Sequence, residues 1–226
     1  MRWCLNPRVQ PPLFPDLPAP LPPGSAYEAG FLSAAQERAL LEFIQTLPLQ
    51  EARYKEYTAR RRVLSYGGAF DDDALELKPG GALPDELAGL RGRAAGWLGV
   101  APQDLVHALV AEYRPGTPLG WHRDVPDFEC VVGISLGSAA RLRFRPYPPK
   151  APQRKDIVTL ELQPGSIYKL TGASRWAWQH SVPPVEALRW SITFRTSRGV
   201  LPHGTLARPS SLNTGTPPSP PVQRRP

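Results

Sequence analysis

The sequence predicts an α+β protein, in which two helices precede a set of short antiparallel strands arranged as a sandwich or barrel. Helical periodicity occurs twice, within residues 32–47 and 84–99. From residue 105 onward, short alternating or apolar runs are separated by proline and glycine, which is typical of antiparallel sandwiches and barrels. The chain has 226 residues, of which 41% are hydrophobic, so it can bury a substantial core.

The helices are indicated by their termini as well as by their periodicity. In "LSAAQERALLEFIQTL", Ser33 is a candidate N-cap and Gln36 stands at the capping-box position. In "PDELAGLRGRAAGWLG", Pro84 suits the start of a helix and Gly99 its end. The segment between the helices, "ARYKEYTARRRVLSYGGAFDDD", is interpreted as a short hairpin with a mobile loop.

The strands are predicted from six runs in the second half of the chain. Each is short, and each alternates or is continuously apolar. The runs are "LVHALVAEY", "CVVGISLG", "ARLRFRP", "IVTLELQ", "SIYKLTG" and "LRWSITFRT".

Proline crowds toward both ends of the chain. Residues 1–24 are predicted to form an extended, proline-rich N-terminal extension and residues 200–226 a disordered proline- and arginine-rich tail. Residues 25–199 are then the folded domain. No apolar run approaches the roughly 20 residues that cross a bilayer, so we expect no membrane association.

Charge and cysteine content bear on partners and compartment. The net charge of +7 favours a polyanionic partner such as nucleic acid, although arginine-rich composition and a basic tail are an alternative explanation. Cys4 and Cys130 do not resemble a disulfide framework or a thiolate metal site, so a reducing, cytoplasmic location is expected.

The stretch "GWHRDVPDF" places His122 and Asp124 two residues apart. Two residues is the repeat of an extended strand, so both side chains would project from one face. An imidazole and a carboxylate on one face are compatible with a salt bridge, an acid/base pair or two metal ligands. Trp121 has the opposite parity and is expected to pack in the core.

A third ligand has to come from the remaining histidines. His107 lies within an apolar strand and is expected to be a satisfied core histidine, and His203 lies at the edge of the tail. His180, in "WAWQHSVPP", follows a strand at a point where a bend could aim it inward. Two histidines and one carboxylate form the facial triad of non-haem Fe(II) oxygenases.

The strand "LRWSITFRT" supplies a second signal. Arg189, Ser191, Thr193 and Arg195 share strand parity, so both guanidinium groups point the same way. Two inward arginines need anionic partners, and a dicarboxylate would provide them. The alternative is that this face is the solvated outside of a sheet.

Together, "EYRPGTPLGWHRD", "VVGISLG", "RLRFR", "ASRWAWQHSVPP" and "RWSITFRT" resemble, in this order, the AlkB-like Fe(II)/2-oxoglutarate-dependent dioxygenases. The resemblance covers roughly residues 25–198 and is strongest from Tyr113. It implies a double-stranded β-helix, that is, a jelly-roll core flanked by N-terminal helices. It also implies oxidoreductase activity with Fe(II), 2-oxoglutarate and O2.

The resemblance assigns roles to individual residues. It implies that the iron ligands are His122, Asp124 and His180. The residues implied to bind or line the site of 2-oxoglutarate are Arg189 at the distal carboxylate, Arg195 at the end nearer the metal, Tyr113 as a hydrogen-bond donor, and Leu109 and Ser191.

Three positions depart from the family pattern. Ala111 stands where many relatives have an asparagine, and Ser191 replaces an amide side chain of the founding member. Pro126 occupies a position that is acidic in that member, and Asp127 follows it. These departures concern co-substrate hydrogen bonding and base specificity rather than iron binding.

The resemblance implies oxidative demethylation of N-alkylated bases in DNA or RNA, with release of formaldehyde, succinate and CO2. The expected substrate contacts are Tyr57, Arg60, Arg61, Arg62 and Tyr66 in the region that resembles the family's nucleotide-recognition lid, and Asp127. A solvated charged hairpin is the alternative for this region. Trp176 and Trp178 are expected to pack rather than to bind a base. A monomer is expected.

Two other functions compete with this interpretation. One is the same oxygenase chemistry on a protein side chain or a small molecule. The other is a non-catalytic nucleic-acid-binding module with a degenerate site. The complete triad and the arginine pair argue against the second.

Overall fold

The structure is a computed structural model, and it describes residues 20–54, 57–67, 69–71, 76–78, 81–149 and 156–203. It contains three α-helices in these ranges: α1 Ala34–Thr46, α2 Asp85–Leu98 and the short α3 Gly172–Trp176. The strands, in chain order, are β1 Ser25–Glu28, β2 Gln50–Tyr54, β3 Tyr57–Tyr66, β4 Ala69–Asp71, β5 Glu76–Lys78, β6 Leu105–Tyr113, β7 Leu119–His122, β8 Phe128–Leu136, β9 Ala140–Pro146, β10 Val158–Leu162, β11 Ser166–Leu170, β12 Trp178–Val182 and β13 Arg189–Ser197.

The strands form a jelly roll of two facing sheets. The major sheet has seven strands in the order β1-β11-β8-β13-β6-β3-β2, and the minor sheet has four in the order β10-β9-β12-β7. The pairings within both sheets are antiparallel. β4 and β5 form a separate small hairpin. The predicted fold class, helices flanking a double-stranded β-helix core, is confirmed.

Two hydrophobic cores lie on the two faces of the major sheet. The first core includes Ile44 and Leu87 from the helices, and Ile134 and Ile192 from the sheet. The second core, between the two sheets, includes Leu142 and Phe144 from β9 and Tyr113 from β6. Because helices cover one face of the major sheet, only the face toward the minor sheet can hold an internal site.

The helix termini follow their predicted signals. Ser33 and Gln36 form a capping box at the start of α1, with the Gln36 backbone N–H donating to the Ser33 hydroxyl at 3.3 Å. Gly99 ends α2 in the left-handed conformation, with φ of 84°. This φ favours glycine because it has no Cβ to clash with the backbone.

Four elements differ from the sequence interpretation. The segment around His180 was expected to be a bend, but it is the strand β12, preceded by α3. The strand β1 was not predicted, and β7 ends at His122 although an extended strand was expected to continue to Asp124. Each of these elements has only four or five residues, which is too short for a periodic pattern. The three strands among them are defined by hydrogen bonding to neighbouring strands.

The chain flanking the predicted domain is described only in part. Residues 20–24 contact α3, since the Ser174 amide donates to the Pro23 carbonyl at 2.8 Å. Beyond β13, the His203 amide donates to the Gly99 carbonyl at 2.9 Å. The rest of the proline-rich extension and of the tail lies outside the described residues, so both assignments stay predictions.

Trp121 does not pack in the core as expected. It lies half-buried on the outer face of the minor sheet, where the guanidinium groups of Arg143 and Arg145 lie over its ring. The prediction that Trp121 points to the opposite side from His122 was correct. In a two-sheet fold, however, that side of the minor sheet faces solvent rather than the core. Among the described helices, none is long and apolar enough to cross a membrane.

Candidate active site

The two predicted histidine ligands and the predicted carboxylate ligand come together between the sheets. One ligand atom from each of His122, Asp124 and His180 lies within 4.8 Å of the other two. The imidazole rings of His122 and His180 are 4.2 Å apart between centroids, and His180 Nε2 lies 3.6 Å from Asp124 Oδ2. His122 and His180 are 58 positions apart in the sequence, so the three residues meet only through the tertiary fold.

Strand pairing aligns the two histidines. His122 is the last residue of β7 and pairs in register with His180 of β12. Asp124 lies beyond the end of β7, so its approach to His122 does not come from strand alternation as the sequence analysis supposed. Instead Arg175, only 2% exposed, holds the following loop by donating to the carbonyls of Asp124, Val125 and Phe128 at 3.1, 2.6 and 2.9 Å.

The two oxygens of the Asp124 carboxylate have different partners. Arg195 donates to Oδ1 through Nε at 2.8 Å, and its Nη2 lies 2.7 Å from the same oxygen. Oδ2 is buried and has no hydrogen-bond partner among the described residues. A buried carboxylate oxygen without a partner is costly, and a metal ion would satisfy it.

The imidazoles have the protonation that a metal requires. Burial, followed by the charges around it, lowers the pKa of His180 from 6.5 to about 3. Burial also lowers the pKa of His122, whose Nδ1 lies 2.9 Å from the Gly120 carbonyl oxygen. A neutral His122 therefore donates from Nδ1 and presents Nε2 as a lone pair.

Electrostatics also keep the carboxylate charged. Burial by itself would raise the pKa of Asp124, but the nearby guanidinium of Arg195 outweighs it and holds the pKa below its ordinary value. Two neutral imidazoles and one carboxylate are the donor set of the facial triad, which suits Fe(II) and leaves three positions of an octahedron open. The three residues thus fit an iron ion.

His107 is buried as expected, but it also supports the site. Its ring lies 4.9 Å from that of Phe128, and Arg195 Nη1 lies 3.2 Å from His107 Nδ1. Burial lowers the pKa of His107 to about 3, so the neutral ring accepts this hydrogen bond. Thr193 accepts a second bond from the same Nη1 at 3.0 Å. His107 and Thr193 therefore orient the arginine that orients Asp124.

Arg189 lies at the other end of the same strand face. It is 1% exposed, its guanidinium lies 4.9 Å from the centre of the Tyr113 ring, and its Nε donates to Ser135 at 3.3 Å. Its Nη1 is buried and has no partner among the described residues. A buried guanidinium with a donor left over is a site for an anion.

The other predicted co-substrate residues lie on the same inner face. Tyr113 is buried; burial would raise its pKa, but the charges and hydrogen bonds of Arg61, Arg189 and Ser191 leave it lowered. Leu109 is half-buried and pairs with Thr193. Ala111, which replaces the family's asparagine, pairs with Ser191 and contributes no hydrogen-bonding side chain.

Tyr168 is a residue of this site that the sequence analysis missed. It pairs with Gly133, and a Cβ placed on Gly133 would lie 2.4 Å from the Tyr168 ring. The ring therefore crosses β8 where that strand has no side chain. Tyr168 is buried near Arg189, and burial raises its pKa to about 12. Gly133 inside an apolar strand was the available signal, because such a glycine often marks a close approach.

The predicted substrate-contacting residues of the β2–β3 hairpin lie on opposite faces of strand β3. Arg61 is buried and hydrogen-bonds to Tyr113, so it reaches the site. Arg62 instead donates to Leu49 and Glu112, and Tyr66 packs in the helix-side core. Because successive side chains of a strand point to opposite faces, Arg62 and Tyr66 lie on the face of β3 opposite to that of Arg61. Their contact with substrate stays a prediction.

The remaining predicted contacts are peripheral. Arg60 is exposed, and the Tyr57 side chain lies outside the described residues. Asp127 is exposed in the turn before β8. Trp178 packs against the inter-sheet core as expected. Trp176 donates to Glu129 at 2.8 Å and also lines a cavity of about 350 Å³ beside Asp124.

Comparison with known proteins agrees with this geometry. The family model described as the 2OG-Fe(II) oxygenase superfamily matches residues 30–195. The chain is 27% identical over 174 residues to mouse tRNA (carboxymethyluridine(34)-5-O)-methyltransferase ALKBH8, covering 73% of the chain and 25% of the mouse protein. It therefore spans about a quarter of that relative.

Two further similarities cover more of the other protein. The chain is 26% identical over 202 residues to a zebrafish (Danio rerio) protein named probable RNA/DNA demethylase ALKBH6, covering 85% of the chain and 84% of that protein. Its fold resembles the solved structure of OsALKBH1 with a TM-score of 0.58 at 17% identity, covering 78% of this chain and 98% of that one. The chain thus belongs to the 2OG-Fe(II) oxygenase superfamily, as an AlkB-like 2-oxoglutarate-dependent dioxygenase of a family that uses Fe(II), 2-oxoglutarate and O2.

Proposed function

We propose that this dioxygenase demethylates N-alkylated bases in DNA or RNA. The observation that carries the proposal is the combination of the complete triad with relatives that are themselves named for nucleic-acid chemistry. The net charge of +7 supports a polyanionic substrate. Arg61 also supports it, since this basic side chain connects the β2–β3 hairpin to the co-substrate pocket.

In this proposal the residues of the site have separate roles. His122, Asp124 and His180 hold iron, and Arg195 keeps Asp124 charged and aimed. When bound, iron with 2-oxoglutarate and O2 supplies the oxidation of a substrate C–H bond. Arg189 binds the distal carboxylate of 2-oxoglutarate through its unpaired Nη1, with Tyr113 beside it. Tyr168 lines the same pocket and helps exclude water.

The reaction balances without another reductant. One oxygen atom of O2 enters 2-oxoglutarate, which loses CO2 and becomes succinate. The other oxygen atom enters the N-methyl group and converts it to N-hydroxymethyl. The C–N bond then breaks, the proton of the hydroxyl group is transferred to the nitrogen, and formaldehyde leaves.

The test is a comparison of substrates. Methylated single-stranded DNA, methylated RNA, methylated peptides and small methylated amines are incubated with the reconstituted protein, and formaldehyde and the mass of the product are measured. We expect formaldehyde and the loss of one methylene in mass from a nucleic acid. Turnover of a peptide or an amine alone would contradict the proposal and leave the oxygenase assignment intact.

A further inference from the structure

We propose that the outer face of the minor sheet binds the phosphate backbone of the nucleic-acid substrate. The surface consists of Trp121, Arg123, Arg143, Arg145 and Tyr147 and is called here the arginine–aromatic face. The inference rests on the proposed function and goes beyond it by placing the substrate's backbone. It starts from the alternation along β9, where Leu142 and Phe144 are buried and Arg143 and Arg145, which alternate with them, point outward.

Aromatic rings hold these arginines in place. The guanidinium carbon of Arg145 lies 4.5 Å from the Trp121 ring centroid, and that of Arg143 lies 5.1 Å from it. Arg123 lies 3.8 Å from the Tyr147 ring centroid. A stacked guanidinium is weakly hydrated and already oriented, so it loses little side-chain entropy when it binds an anion.

Among the described residues, no carboxylate is paired with Arg123, Arg143 or Arg145. Arg143 donates to the Ser181 hydroxyl at 3.2 Å and Arg145 to the Gln179 side-chain oxygen at 2.8 Å. Arg123 donates to the Trp176 carbonyl at 2.8 Å. These acceptors are all uncharged, and none of the three arginines forms a salt bridge within the described part of the chain.

Arg93 and Arg198 also lie over aromatic rings and donate to backbone carbonyls, without a carboxylate partner in the described structure. Two other arginines are paired with carboxylates. The charge of Arg62 is met by Glu112, and that of Arg195 by Asp124. The nearest acidic position on the outer face of β10, Glu161, pairs in register with Arg141, whereas Arg143 pairs with Thr159. Three oriented positive charges without a counter-charge predict an anionic partner, and the guanidinium fork matches phosphate.

The face adjoins the candidate active site. Arg123 stands between two of the proposed iron ligands in sequence, and it lines the cavity of about 350 Å³ together with Asp124, Tyr147 and Gln179. The face runs from β9 across β12 to β7. With neighbouring strands about 4.8 Å apart, it is about 10 Å wide, which is room for more than one phosphate. The arginine–aromatic face therefore borders the cavity beside Asp124 at Arg123 and Tyr147.

The experiment measures how oligonucleotide affinity depends on salt. Binding of labelled single-stranded DNA and RNA is followed by fluorescence anisotropy over a series of salt concentrations, for wild type and Arg143→Gln/Arg145→Gln. Each phosphate contact on a single strand contributes about 0.7 to the slope of log affinity against log salt. We therefore expect a slope smaller by about 1.4 in the double variant.

Two control variants test whether the change in salt dependence comes from the position of the arginines, from their charge or from a loss of folding. Arg38→Gln/Arg93→Gln removes the same charge from exposed positions on the helices, and we expect the wild-type slope. Arg143→Lys/Arg145→Lys restores the charge and should restore the slope. Iron and 2-oxoglutarate binding, measured in the same samples, should equal those of wild type in all variants and show that the domain is folded.

The outcomes distinguish this inference from the proposed function. An unchanged slope in Arg143→Gln/Arg145→Gln, with wild type that binds and demethylates the oligonucleotide, overturns the backbone site alone. Equal losses in this variant and in Arg38→Gln/Arg93→Gln also overturn it. Wild type that binds polyglutamate as tightly as an oligonucleotide of equal charge would make the partner an acidic protein. Wild type that binds no oligonucleotide overturns both proposals.

Discussion

Arg195 and Asp124 form a buried ion pair in which the arginine contacts only one of the two carboxylate oxygens. Nε and Nη2 of the arginine both lie within 2.8 Å of Oδ1, while Oδ2 of the same carboxylate lies 3.6 Å from His180 Nε2 and has no hydrogen-bond partner among the described residues. The arginine thus compensates the buried charge without occupying the oxygen that a metal would need. The pair sets the geometry of the site before any metal binds.

The first prediction concerns this pair. Arg195→Gln removes the charge that holds Asp124 ionised and oriented, so we expect Fe(II) affinity to fall by roughly 10- to 100-fold, as for other groups that orient metal ligands. The measurement is an anaerobic titration with Fe(II). Arg198→Gln is the control, since Arg198 is exposed and donates to the carbonyl of Pro126 in the same loop. Wild-type affinity in Arg195→Gln would contradict the role of the pair.

The second prediction separates co-substrate binding from metal binding. Arg189→Ala removes the guanidinium with the unpaired Nη1, so 2-oxoglutarate should no longer bind, whereas iron should still bind. His122→Ala should abolish both. Anaerobic titration of Fe(II) and 2-oxoglutarate, followed by the metal-to-co-substrate absorption band, reports the two events.

A thermal measurement checks the same prediction without absorption. At 100 times its Kd, a ligand stabilises the native state by about 2.7 kcal/mol. We expect 2-oxoglutarate to raise the Tm of the wild-type protein and to leave that of Arg189→Ala unchanged. A co-substrate band or a Tm increase of wild-type size in Arg189→Ala would reject the assignment.

The third prediction tests the close approach of Tyr168 to Gly133. Gly133→Ala places a methyl group 2.4 Å from the Tyr168 ring, and we expect the free energy of unfolding to fall by about 1–3 kcal/mol, as in other overpacked cores. Tyr168→Leu shortens the side chain and should remove much of that penalty in the double variant. Chemical denaturation of the four proteins gives a double-mutant cycle. Additive effects would show that the ring does not lie over Gly133.

The fourth prediction concerns acid stability. The pKa of His107 is about 3 in the folded protein and 6.5 in its ordinary state, so below pH 6.5 the unfolded chain binds the additional proton. The stability that neutral His107 contributes is complete above pH 6.5 and is lost as the pH falls toward 3. At pH 5 the loss is about 2 kcal/mol for this histidine.

Denaturation of the metal-free protein at pH 7.5 and pH 5 measures this effect. His107→Gln keeps an acceptor for Arg195 but does not titrate, so the difference between the two pH values should become smaller. The exposed His203 provides the control variant, His203→Gln, which should keep the wild-type difference. An unchanged difference in His107→Gln would mean that the ring is not held neutral by burial.

The sequence by itself determined the elements whose pattern is local. The capping box at Ser33, the ends of α2 and the shared face of Arg189 and Arg195 all follow from residue spacing, because helix and strand periodicities are properties of the backbone. The motif around His122 was also visible, and the family resemblance connected it to His180.

Only the tertiary structure decided which side chains meet across strands. β12 and α3 have five residues each, which is too short for a periodic signal, and strand pairing brings His180 against His122. Trp121 is a second example. Strand alternation predicted that its side chain points away from His122, but it did not predict that this side of the minor sheet faces solvent. A residue's neighbours along a strand are fixed by the chain, but its neighbours across a sheet depend on register and on sheet packing, which distant residues set together.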